Sequence, residues 1–209
     1  MNITRRRKKK RRKNNMGMIF DILFGEYFHK IFRVLAGILG IIAFFFMFGS
    51  QLEFGFFPHG TCELSSSIEF FGVGNNTLST KEAIIIAGGP GLDFKGIVPV
   101  FLAYIFGLIA SVFSIVTVFI EGKIPNRLTA ILFGAVPFVI LITCGIIVYN
   151  ADNIFLSING LQRADNWHIY TTLRNAVAGW FFGIGGALIG VGYFLLFQHY
   201  RRDGDPFGF

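Results

Sequence analysis

Apolar residues gather in four long runs, at roughly 32–49, 96–120, 128–149 and 176–197, with more polar chain between them. A helix rises about 1.5 Å per residue, so about 20 residues cross a hydrocarbon layer roughly 30 Å thick. Each run meets that length. The runs read as free of charge, with Lys30 and Arg33 counted among the basic residues flanking the first. Charge-free spans argue against a path for ions or protons, because an ionisable group at mid-membrane costs about 2.5–3.5 kcal/mol and persists mainly where charge moves. The pattern predicts an all-α membrane protein. Its parts are a four-helix transmembrane bundle, a small β-containing extracytoplasmic loop and an N-terminal interfacial amphipathic helix.

The segments between the runs carry shorter patterns. In the loop 50–95, Leu52, Phe54 and Phe56 alternate with Glu53 and Gly55, the period of a half-buried strand. Ile68, Phe70 and Phe71, and then residues 83–87, suggest two further strands around a Gly74-Asn75-Asn76 turn. Gly88-Gly89-Pro90-Gly91 breaks the chain before the second run, as a hinge rather than a phosphate loop, since no Lys-Ser/Thr follows. Ahead of the first run, Met16, Ile19, Phe20, Leu23 and Tyr27 recur at helical spacing, with Asp21, Gly25 and His29 near another face. That is an amphipathic helix suited to the headgroup region. Pro99 and Pro137 are expected to bend the second and third spans. The chain divides into a polybasic tail (1–15), the amphipathic helix (16–30), the bundle with its outer loop (31–198) and a short tail (199–209).

Charge orients the spans. Arg5, Arg6, Arg7, Lys8, Lys9, Lys10, Arg11, Arg12 and Lys13 form an unbroken basic run, and without it the net charge of +7 falls close to neutral. Lys123 and Arg127 lie between spans two and three, and Arg201 and Arg202 follow span four. Basic residues in short loops mark the cytoplasmic side. Four spans put all of these on that one side, so both termini are expected to be cytoplasmic in a multi-pass protein of the cell membrane. The basic run would hold anionic headgroups at about 1 kcal/mol per charge. Nucleic acid is the weaker reading, because neither aromatic interleaving nor a nucleic-acid fold accompanies the run.

Small residues line the spans. Gly179, Gly183, Gly186 and Gly190 share one helix face, as do Ala103, Gly107, Ser111 and Ser114, with Ala36, Gly40, Ala43, Ala130 and Gly134 on the other two spans. Close backbone approach drives helix association in lipid, so these are helix-packing residues, for a neighbouring span or for a second membrane subunit.

Candidate chemistry is thin. Cys62 and Cys144 both lie toward the outer side and could bridge. His59, Cys62, Glu63 and His168 fall short of a four-ligand zinc set, and no cofactor is indicated. Asn75-Asn76-Thr77 is a glycosylation acceptor. Asp165 and His168 lack a nucleophile, and Trp167 and Tyr170 suit interfacial anchors. Ser111, Ser114, Thr117 and Thr143 would line a pore if there were one.

Four spans, inner termini and a longer first outer loop are similar in architecture to claudins and related tetraspan proteins. The claudin signature of Trp, Gly-Leu-Trp and two cysteines is not carried here: the first loop has no Trp and only Cys62. The second loop has no cysteine, unlike that of tetraspanins. The resemblance implies architecture and no family. The functional expectation is a non-catalytic accessory, scaffold or assembly subunit, packing against another membrane subunit or itself. A small homo-oligomeric channel or transporter is the alternative, and a lipid-processing membrane enzyme comes third.

Overall fold

A computed structural model describes residues 28–56, 64–70, 94–121, 127–160 and 167–202. The basic run, the amphipathic segment up to Tyr27, Asn75, Cys62, His59, Glu63, Asp165 and the strand expected at 83–87 lie outside the described residues. Four long helices dominate: α1 (Phe28–Phe45), α2 (Val98–Glu121), α3 (Arg127–Tyr149) and α5 (Leu173–Arg202). Each contains a stretch long and apolar enough to cross a membrane, which makes the chain a candidate multi-pass membrane protein. Successive long helices pack side by side, and α5 closes the ring against α1. The bundle therefore runs up, down, up, down.

The helices are apolar on their outward faces as well as over most of their inward ones. On α1 the inward stripe is His29, Arg33, Ala36, Gly37, Gly40 and Ala43, at the three- and four-residue spacing of one face. Its outward face is equally apolar, with Ile31, Leu35, Ile38, Ile42 and Phe45 exposed, and the other helices expose Phe106, Phe119, Val139 and Phe194. A water-soluble bundle would put charge on those faces.

At one end a three-stranded antiparallel sheet caps the bundle in the order β2 (Leu64–Glu69), β1 (Ser50–Phe56), β3 (Trp167–Thr171). The alternation in β1 is realised: Leu52 and Phe54 are buried while Glu53 is exposed. Phe54 pairs with Ile169, and Leu52 with Ile68, so the inner face is continuous across all three strands. Phe70 then wedges edge-on between Phe101 and Tyr104 of α2, at ring separations of 5.4 and 6.1 Å. A short helix α4 (Ala151–Ile158) buries Phe155 and Leu156 beneath the sheet.

Several expectations need correction. The spans are not all charge-free: Arg33 sits on the second turn of α1 with its side chain wholly buried. The helix takes in Phe28, His29 and Lys30, which the sequence pattern had placed in a separate amphipathic element. Pro99 is the second residue of α2, in the first turn, where no intrahelical hydrogen bond is lost, so of these two prolines it is Pro137 that lies inside a helix. Between α3 and α5 the chain forms α4 and β3, for which the sequence analysis named no element.

Candidate functional site

Three features combine burial, polarity or open space in a way that packing alone does not require. The first is a polar cluster at the end of the bundle away from the sheet. His29 and Arg33 are one turn apart on the inner face of α1. The Arg33 guanidinium donates to Thr117 Oγ1 and lies 5.9 Å from the centre of the Tyr193 ring. His29 meets the same ring edge-on at 6.4 Å. Ser114 Oγ donates to the Arg33 carbonyl at 3.0 Å. Gly134 on α3 leaves the space that the Tyr193 ring fills. All four long helices thus meet around one buried cation.

The hydroxyl groups considered for a pore are spent internally. Ser111 Oγ donates to the Gly107 carbonyl at 2.6 Å, and Thr117 Oγ1 to the Phe113 carbonyl at 2.8 Å. Thr143 stands apart on the exposed surface of α3. These four side chains do not share a face.

The second feature is the junction between bundle and sheet. A register shift between Ser50 and Leu52 makes Gln51 a bulge residue, so it turns inward beside Leu52 instead of alternating outward. Its freed carbonyl accepts from Asn175 Nδ2 at 2.9 Å and from the Thr172 backbone N–H at 3.2 Å. Asn175 Oδ1 in turn accepts from the Tyr104 hydroxyl at 2.7 Å, and Thr172 Oγ1 donates to the Ser50 carbonyl at 2.8 Å. The Gln51 side-chain amide donates toward the carbonyls of Gly49, Met47 and Phe46, which close the end of the first span. Gln51 Oε1 is buried with no hydrogen-bond partner among the described residues. Tyr104→Phe removes one hydroxyl and strands the buried Asn175 oxygen, so it should cost about 1–3 kcal/mol. Chemical unfolding in detergent micelles, with Tyr149→Phe as the exposed control, measures this; equal stability of the two variants would contradict it.

The third feature is a groove of about 260 Å³ between α3 and α5, near the sheet end. Gly145, Gly179 and Gly183 form its floor, Ile142 and Ile146 one wall, and Trp180 with Tyr149 and Asn150 its rim. Trp180 is 60% exposed and meets Tyr149 edge-on at 6.0 Å.

The glycine face on α5 divides between these roles. A Cβ on Gly179 would come within 2.9 Å of the Gly145 carbonyl, one on Gly186 within 2.8 Å of Ile142, and one on Gly190 within 2.9 Å of Phe138. Those three pack against α3 inside the bundle. Gly183 differs, because a Cβ there would meet nothing within 4 Å. On α2, Gly107 makes room for the Phe182 ring, while Ala103 and Ser111 are buried. Gly185 and Gly192, against Ala36 and His29, form a second packing face on α5. Sequence reading passed over it, although their seven-residue spacing repeats that of Gly179 and Gly186.

The Cys144 thiol is buried and unbridged. Among the described residues, no group of three His, Cys, Asp or Glu side chains could hold a metal. His168 and Tyr170 lie on β3, where Tyr170 is exposed. Comparison with protein-family models, curated proteins and solved structures gave no match to this chain.

Proposed function

We propose that the chain is a non-catalytic, multi-pass membrane protein that serves as an accessory, scaffold or assembly subunit for a membrane partner. Both termini are cytoplasmic in this reading, the sheet faces outward, and the membrane is the cell membrane. Apolar outward faces on every long helix support the membrane setting. Basic positions support the orientation, since Lys30, Arg127, Arg201 and Arg202 fall at the end of the bundle opposite the sheet. The basic run Arg5–Lys13 adds attraction to anionic headgroups.

The observation that carries the reading is the open groove at Gly183. A glycine whose side-chain direction is empty has no packing reason to be glycine within its own bundle. It leaves a notch in which the ridge of another membrane helix can approach the backbone closely. Gly183→Leu tests this, because the groove accepts the new side chain while the interior is untouched. Capture of the tagged chain from native membranes in mild detergent, with mass spectrometry of what accompanies it, is expected to show a stoichiometric partner that Gly183→Leu loses by about tenfold or more. Membrane insertion stays intact. Retention of the partner by this variant removes the groove as the contact. Gly186→Leu is not an equivalent test, since it collides with Ile142 inside the bundle.

The second reading, a small homo-oligomeric channel or transporter, draws support from Arg33. An ionisable group buried in an apolar span is costly and is a functional candidate by default. Liposome flux of the purified chain is its direct assay. A lipid-processing enzyme is the third reading, with His168, Glu53 and Asp152 as its candidates among the described residues.

A further inference from the structure

We draw no further inference here: the strongest candidate, the polar side-chain cluster of His29, Arg33, Ser114, Thr117 and Tyr193 at the end of the bundle away from the sheet, belongs to the site already described, and nothing in the structure identifies a ligand for it beyond the Thr117 hydroxyl and the Tyr193 ring that the guanidinium already meets.

Discussion

Gly145→Ala should destabilise the bundle by about 3 kcal/mol, while Gly183→Ala, on the helix facing it, should be neutral or stabilising by up to about 1 kcal/mol. The two glycines lie on either side of the same contact, yet their side-chain directions differ. A methyl group on residue 145 would lie 2.8 Å from the Gly179 carbonyl and 2.9 Å from the Gly183 nitrogen, both backbone atoms of α5. Neither can turn aside as a flexible side chain would. The helices would have to separate, and every contact along α3 and α5 would loosen with them. At residue 183 the methyl group enters the groove, and the substitution gains only the helix propensity of alanine over glycine. Equilibrium unfolding of both variants in detergent micelles measures the difference. Equal stabilities would mean that the close approach of α3 to α5 is not what holds this side of the bundle.

The second large effect is expected at the buried cation. Thr117→Val keeps the shape of the side chain but removes the acceptor of the Arg33 guanidinium. The charge stays in the interior with one hydrogen bond fewer, and bonds to charged groups contribute about 1.5–3 kcal/mol. Thr143→Val makes the same chemical change on the exposed face of α3 and should move stability by less than about 0.5 kcal/mol. Ser114→Ala is intermediate, near 1 kcal/mol, because the Arg33 carbonyl it frees is also part of the α1 helix ladder. If Thr117→Val proves as mild as Thr143→Val, the cluster around Arg33 owes its cohesion to groups other than this hydroxyl. Neither variant alters a residue of the groove, so partner capture should be retained by both wherever the protein folds.

The expectations that the structure supports depend on local pattern. Four apolar runs of spanning length gave four long helices, since length and apolar content are properties of each segment alone. The alternation of Leu52, Phe54 and Glu53 gave β1 for the same reason. The third strand was harder to read. Its five residues show little alternation, and their partner β1 lies more than a hundred residues earlier in the chain. Arg33 was misplaced because a basic residue near the start of an apolar run looks like a flank. Its burial depends on Thr117 and Tyr193, which only the packed bundle brings to it.

The glycine face on α5 shows where local information ends. Spacing alone places Gly179, Gly183, Gly186 and Gly190 on one side of a helix, and composition establishes that the four runs are predominantly apolar. Which of these glycines is pressed against α3 and which opens into a groove depends on the distance and angle between two helices. No segment carries that information by itself. Helix and strand follow from hydrogen bonds and side-chain periodicity within a few residues, whereas grooves, buried charges and strand partners follow from the fit of surfaces remote in sequence. For this protein, the candidate sites belong to that second kind.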